Sequence, residues 1–477
     1  QQQDISIDMT NLIENLARVL TDEELSSLKH RWSSASASSP LRIGTVCSGT
    51  DAPILALEHL IAVLNNDNCD CKIQMDHVFS CENVKFKRDF IMETTGPPLL
   101  FSDVTELASG RGVCHDGTTR DVPRDFHVLI AGTECVDFSS LSTSPKGLKG
   151  GGRSDVTFWS THELAKKCKP AIVMLENVKK CPAEEMEKAF RDIGYVAAHT
   201  KVCTSDFLLP QSRSRAYFVF LHSEKARFVS PCTKDDWIST MERLGSKRTS
   251  LKNDKVLDWT DFLIGDRAKR KDAKKKGGRS KPLSESLDSK WLAEIRAIEN
   301  KEGLTPYGAN NGRPYSDAAK NFSAIASLPD RAKMRLDVQC KRAMKAGIDP
   351  LAVPLLWNPA QQLRFTDSGV SSDGKPRTIA PCVTPKHEWI VSNRKGPLTG
   401  AEALALQGIS VPKKVLSQFD CGQLRDLAGN AMSTTVVAAV FLATFLTAEL
   451  IDDGSLKKRP VSSATTRGTQ KKRSRTD

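Results

Sequence analysis

Three observations predict an α/β fold built on a doubly wound, mainly parallel sheet. Short apolar runs alternate with helical periodicity from Leu41 to about His222. Strand-then-helix order implies parallel strands joined by crossover helices. Several of the runs end in glycine or an acid, the residue types that serve a ligand at the carboxyl ends of such strands.

The elements follow in order. A polar start carries one amphipathic helix, Ile5 to Leu28, and a Ser-rich linker, Ser33 to Ser39. LRIGTVCSG is a strand ending in a turn, and Ala52 to Leu64 is a helix. DHVFSCE is the second strand, Val84 to Glu93 a helix, PLLFSD a short strand and FHVLIAG the next. Val156 to Lys167 is helical, PAIVMLEN a strand, Ala183 to Asp192 a helix, Tyr195 to Cys203 extended, and SRAYFVFLH a final strand. From Ala226 to about residue 390 the rhythm is lost, which predicts an inserted or second, smaller domain. Regular helices return at Thr399 to Gln407 and from Asn430.

Charge divides the chain further. The 477 residues hold 69 Lys and Arg against 57 Asp and Glu, a net +12. Arg267 to Lys281 contributes +8 and Leu456 to Asp477 contributes +7, so the rest of the chain sums to −3. The body is nearly neutral, and the two basic runs are solvated segments suited to nucleic acid or, for the tail, to nuclear import. With 39% hydrophobic and 26% charged residues, collagen-like, fibrous and largely disordered chains are excluded. Thirteen cysteines without a CxxC pair, and no apolar leader, point to reduced thiols inside the cell. Cys69, Cys71, Cys81, Cys114 and His115 match no common zinc spacing, and no metal is expected. The chain opens on Gln1, as a piece of a longer protein does. Ala431 to Ala448 is uncharged over 18 residues, long enough for a membrane anchor, with a buried core helix the favoured reading.

The strand ends are where chemistry is expected. Cys47-Ser-Gly49-Thr-Asp51 closes the first, with Gly49 permitting a tight turn and close backbone approach. Glu82 ends the second and suits ribose hydroxyls; Asp103 follows the third and suits an adenine amine. Cys135 opens a Gly- and Ser-rich loop after FHVLIAG, a place from which a nucleophile can meet a substrate. Glu176 and Asn177 end PAIVMLEN, and Gln211, Arg213 and Arg215 share one face if extended.

Taken in order, GTVCSG, SCEN, FSD, AGTECVDFSSLS, MLENV, QSRSR, GPLTGAEALALQG and LAGNAMSTTVV resemble the DNA (cytosine-5) methyltransferases over roughly residues 41 to 450. The resemblance implies a Rossmann-like, S-adenosylmethionine-dependent catalytic domain over 41–225, a target recognition domain with the basic insert over 226–390, a return to the catalytic domain over 391–455 and a basic tail over 456–477. It implies Cys135 as nucleophile toward cytosine C6, Glu176 and Asn177 beside it, and Arg213 and Arg215 on a flipped base and its backbone. It also implies Cys47, Gly49, Asp51, Glu82, Asp103 and Asn430 around the cofactor. A duplex DNA substrate, methylation at C5 and a nuclear location follow.

Two alternatives remain: an RNA methyltransferase of the tRNA branch, whose Cys-Phe-Thr signature is absent here and whose recognition domain is shorter, and a methyltransferase-like regulator without turnover. Two departures stand out. Glu134-Cys135-Val136 replaces the usual Pro-Cys-Gln, and Cys47-Ser-Gly49-Thr-Asp51 replaces Phe-x-Gly-x-Gly. A carboxylate beside the nucleophile raises its pKa unless paired, so an arginine such as Arg213 or Arg153 is expected to offset Glu134.

Overall fold

The computed structural model describes residues 8–37, 39–66, 72–138, 148, 150–246, 256–264, 285–307, 309, 312–360, 369–385 and 388–451, with the backbone alone over 285–290. Both basic runs, Cys69, Cys71 and residues 139–147 lie outside the described residues.

The chain begins with α1 (Met9–Ala17) and α2 (Asp22–Ala37), where the sequence predicted one helix and a linker. The break falls at Thr21, whose N–H donates to the Glu24 carboxylate at 2.8 Å while its hydroxyl accepts from Glu24 N–H at 3.2 Å, a capping box that starts a new helix. The serines are helical as well. Ser33 and Ser36 turn their hydroxyls onto the carbonyls of His30 and Ser33, at 3.1 and 3.3 Å.

There follow β1 (Leu41–Val46), α3 (Ala52–Leu64), β2 (Met75–Cys81), α4 (Lys85–Thr94), β3 (Leu100–Phe101), the single turn α5 (Val104–Leu107), and a hairpin of β4 (Arg111–Val113) and β5 (Thr119–Asp121). Next come β6 (Val128–Gly132), α6 (Arg153–Cys168), β7 (Ile172–Val178), α7 (Ala183–Arg191), β8 (Tyr195–Cys203), β9 (Gln211–Ser212) and β10 (Ser214–His222). One sheet of seven strands runs β3-β2-β1-β6-β7-β10-β8. Its first five strands are parallel, as predicted. The last two depart from the prediction: β10 is antiparallel to both β7 and β8, because residues 204–213 supply no crossover helix and so force a hairpin-like return. The β4–β5 hairpin turns at Asp116-Gly117, with Gly117 at φ 83°, a turn signal that the alternation argument passed over.

Alternate strand residues feed two cores. Ile43, Ile130, Met174 and Val219 face one, with α1, α2 and α3. Leu129, Val173, Leu175, Phe218 and Phe220 face the other, with α6 and α7. The chain builds outward from β1 through β2 and β3, then crosses back to β6 on the other side, so β1 and β6 form the topological switch point where ligands bind.

Beyond the sheet lie β11 (Ala226–Phe228) and α8 (Lys234–Gly245). Trp237 of α8, with Trp259 and Phe262, still belongs to the first core, so that core extends past the predicted boundary at residue 225. A second, smaller core gathers Tyr315, Leu336, Cys340, Leu355, Trp357 and Ile390. It is supplied by α10 (Pro314–Ala319), α11 (Ser323–Ala326), α12 (Asp330–Lys345), β12 (Leu356–Trp357) and β14 (Ile390–Val391), while α9 (Glu285–Glu302) packs on α12, β13 (Ala380–Pro381) pairs with β9, and β15 (Gly396–Pro397) pairs with β14. This segment is more helical than its sequence predicted. The inner face of α12 includes charged groups that pair with α9, such as Lys341 with Glu299 at 2.8 Å, which hides the apolar period. Trp259 N–H donates to Thr378 O at 3.0 Å and its indole to Arg377 O at 2.9 Å, so the outgoing and returning chains touch.

The chain then returns through α13 (Gly400–Ala405), α14 (Lys413–Leu416), α15 (Cys421–Asn430), α16 (Thr434–Thr447) and β16 (Ala448–Leu450). α16 is the uncharged stretch, and it is a core helix packed against α3. Two of its threonines are satisfied within the helix, Thr444 donating to Val440 O at 2.7 Å and Thr447 to Ala443 O at 2.8 Å.

Candidate active site

At the switch point β1 ends in a turn with left-handed backbone at Cys47, Gly49 and Asp51, at φ 51°, 58° and 53°. Gly49 N–H donates to Glu82 Oε2 at 2.8 Å, and Val84 N–H to Glu82 Oε1 at 3.0 Å. The acid from β2 thus shapes the turn of β1. Asp103 caps α5, one oxygen accepting from Thr105 N–H at 2.8 Å and from its hydroxyl at 2.7 Å. A side chain on Gly49 would point into open space, its nearest neighbour being Asn430 O at 3.9 Å. This is a cradle of the shape a nucleoside cofactor needs, with acids on its wall.

Asp51 is a correction. Its carboxylate is fully buried and accepts from Thr45, Ser80 and Thr95 hydroxyls at 2.7, 2.6 and 3.0 Å. It braces the turn from behind, so its side chain does not face the methionine part of a cofactor. Asn430 does close the cleft beside Gly49, but through its carbonyl, while its amide donates to Asp426 at 2.9 Å.

The nucleophile loop leaves β6 one strand away. Glu134 N–H donates to Thr157 Oγ1 at 3.1 Å. Asp137 N–H donates to Ser154 Oγ at 3.0 Å, and Ser154 N–H returns a bond to Asp137 Oδ2 at 2.9 Å. A Cβ on Gly152 would lie 2.2 Å from that same oxygen, so only glycine leaves room for the staple. Trp159 Nε1 donates to Leu148 O at 3.0 Å, pinning a later point of the loop to α6. The sequence reading missed Asp137, Ser154 and Thr157. The Gly-Arg-Ser-Asp run before Val156 was the available signal, since such residues open helices, and α6 does begin at Arg153.

Arg153 Nη2 lies 2.7 Å from Glu134 Oε1, so the expected arginine partner is Arg153. The expected source of the nucleophile's raised pKa is corrected. Burial pushes the Cys135 thiol up, Glu176 adds to this, and Arg215 and Arg213 oppose it; Glu134 acts on Cys47 instead.

Glu176 ends β7 with 8% exposure and sits 3.0 Å from Arg215 Nε. Gly132 and Glu176 are register partners across β6 and β7, and Arg215 enters from β10. Burial disfavours the charge on Arg215, but Glu176, Cys382 and Cys135 outweigh it and its pKa rises. Thiol, carboxylate and guanidinium are therefore neighbours at the ends of β6, β7 and the start of β10.

Asn177 and Arg213 do not join them. Asn177 donates to Thr133 Oγ1 at 2.9 Å and accepts from Val178 N–H at 2.8 Å, which fixes the start of the nucleophile loop. Arg213 is 3% exposed and donates to the carbonyls of Val383, Gly429 and Ala431 at 3.1, 3.2 and 2.9 Å. Gln211 joins the same junction, accepting from Val383 N–H at 3.0 Å. Their hydrogen bonds hold backbone around the site. Among the described residues no group of three His, Cys, Asp or Glu could hold a metal ion.

Fold and site together define a class: a Rossmann-like α/β domain with an acid-lined cradle and a thiol nucleophile on either side of its switch point. The family model described as C-5 cytosine-specific DNA methylase matches residues 73–445, and the chain belongs to that family. It is 34% identical over 413 residues to a protein of Cryptococcus neoformans var. grubii named DNA (cytosine-5-)-methyltransferase DMT5, covering 84% of this chain and 17% of that one. A protein of the same name from Verticillium dahliae is 25% identical over 473 residues, covering 85% of this chain and 19% of that one. The chain thus spans less than a fifth of either relative. Among solved structures it is similar to S. pombe Dnmt2 methyltransferase, at 14% identity and a TM-score of 0.44, with 85% of this chain and 98% of that one covered.

Proposed function

We propose that this chain is the catalytic domain of a nuclear DNA cytosine-5 methyltransferase. It takes a cytosine flipped out of duplex DNA and uses S-adenosylmethionine as donor. The observation that carries the reading is the convergence of Cys135, Glu176 and Arg215 beside the acid-lined cradle of Gly49, Glu82 and Asp103.

Bound at that cradle, S-adenosylmethionine supplies a methyl group carried on a cationic sulfur. Glu82 and Asp103 suit its ribose and adenine, and the Gly49 turn lets its methionine part approach the backbone. Cys135 as thiolate adds to C6 of the cytosine, and the electron pair of the C5–C6 bond moves toward C5. Glu176 holds N3 and the exocyclic amine, so that N3 is protonated as the adduct forms. With the methyl on C5, the C5 proton passes to water as base and Cys135 leaves as thiolate, which restores the ring.

The electrostatics suit this order. Burial first, and the charge of Glu176 second, raise the Cys135 thiol. Once Glu176 shares a proton with a bound base, that repulsion falls while Arg215 remains, so the thiolate forms when a substrate is present. The basic run at 267–281 is assigned to DNA phosphates, which predicts binding that weakens steeply with salt.

The test is covalent trapping. Duplex DNA carrying 5-fluorocytosine, incubated with protein and S-adenosylmethionine, is expected to give a protein–DNA band stable to denaturant, and Cys135→Ala to lose it. DNA binding without any such band sinks the catalytic reading.

A further inference from the structure

Consecutive side chains leave the end of β6 toward different sites. Cys135 lies beside Glu176 and Arg215, whose charges, with that of the more deeply buried Arg213, act on its thiol. Glu134, whose Oε1 meets Arg153 Nη2 at 2.7 Å, also lies near enough to the β1 turn for its charge, with those of Glu82 and Asp103, to raise the Cys47 thiol. The strand register explains the proximity. Val46 of β1 pairs with Ala131 of β6, and a Cβ on Gly132 would lie 3.5 Å from Cys47 O. Two residues beyond Gly132, Glu134 therefore flanks the cradle already assigned to the cofactor. Arg153 binds only its Oε1, and that arginine is 70% exposed at the first turn of α6. No described residue hydrogen-bonds Oε2.

We propose that Glu134 is a third acid of the cofactor cleft, a specificity residue that reads the positive charge on the donor's sulfur and so favours S-adenosylmethionine over S-adenosylhomocysteine. The inference rests on the proposed function, since it concerns the same cleft. When the methyl leaves as a formal cation, the sulfur keeps the bonding electron pair and becomes a neutral thioether. An anion in the cleft attracts the first species and is indifferent to the second. Discrimination of this kind speeds exchange of spent cofactor for fresh donor. Proline, which the family usually carries at this position, has no charge with which to do it. Arg153 attenuates the effect by holding one carboxylate oxygen, and its exposure leaves that hold weak.

The test is calorimetric titration of the full chain with S-adenosylmethionine, S-adenosylhomocysteine and sinefungin, whose amine places a cation near the same point without a transferable methyl. Glu134→Gln is expected to weaken the two cationic ligands about fivefold and leave S-adenosylhomocysteine unchanged, the size of one unit charge acting across a partly solvated cleft. Arg153→Gln is expected to move the ratio about twofold the other way, by unmasking the acid; it keeps the inference testable should the first variant misfold. Equal shifts for all three ligands, or none, in Glu134→Gln overturn the inference and leave the cofactor reading standing. A wild-type chain that binds none of the three overturns both.

Discussion

Cys47 and Cys135 stand beyond the ends of neighbouring strands, β1 and β6, yet their surroundings are opposite in sign. Burial raises both thiols. Around Cys47 every further influence raises its pKa again, from Glu82, Glu134 and Asp103. Around Cys135 only Glu176 does so, and Arg215 and Arg213 pull the other way. One residue type in one layer of the fold thus meets only anions at Cys47 and both signs of charge at Cys135, which suits the inert and nucleophilic roles proposed for them. Strand position alone does not set a cysteine's surroundings; the two arginines at and just before the start of β10 temper the rise that burial and Glu176 impose on Cys135.

The comparison can be broken at several points. The largest effect is expected from Cys135→Ala, which should remove at least about a thousandfold of methyl transfer to duplex DNA, measured with labelled cofactor. Next comes Arg213→Ala. It strands buried carbonyl groups of Val383, Gly429 and Ala431 and should cost about 3 kcal/mol of stability, read by denaturant unfolding. If that variant is as stable as wild type, the junction it ties is not structural.

A third test uses pH. Because the charge on Glu176 disfavours the thiolate, Glu176→Gln should lower the pKa of Cys135. Alkylation of Cys135, followed peptide by peptide in a mass spectrometer, should then set in at lower pH than in wild type. Arg215→Gln should move it to higher pH. An unmoved profile in both variants denies that these neighbours set the thiol. The smallest change is expected from Cys47→Ala, which should leave transfer within about threefold of wild type, since an uncharged thiol contributes little beyond packing there. A large loss would make Cys47 more than a lining residue.

Much of this site was legible from residue order alone. Cys135, Glu176, Arg215, Gly49, Glu82 and Asp103 were each placed by a strand end followed by a chemically suited side chain, and the sheet brings them to one edge. What could not be read was which way a polar side chain turns. Asp51, Asn177 and Arg213 sit within a few residues of the cleft, but their hydrogen bonds are spent on Thr45, Thr133 and Val383, partners remote in sequence or defined only by the fold. The antiparallel place of β10 was equally hidden, because the apolar run SRAYFVFLH has no direction of its own until the absence of a crossover helix decides it. The helices of the second core were obscured for a different reason. Lys341 and Glu299 are buried as a pair, and a paired charge in a core reads in sequence as surface.

The meeting of Trp259 with Arg377 and Thr378 has a consequence for how such a protein can change. Chain leaves the body of the fold and comes back to it side by side here, so the segment between begins and ends at neighbouring points. A piece suspended in this way can be lengthened, shortened or exchanged without shifting a strand of the sheet. Under the proposed function, the part assigned to reading DNA can drift, lineage by lineage, while the part assigned to chemistry stays where it is.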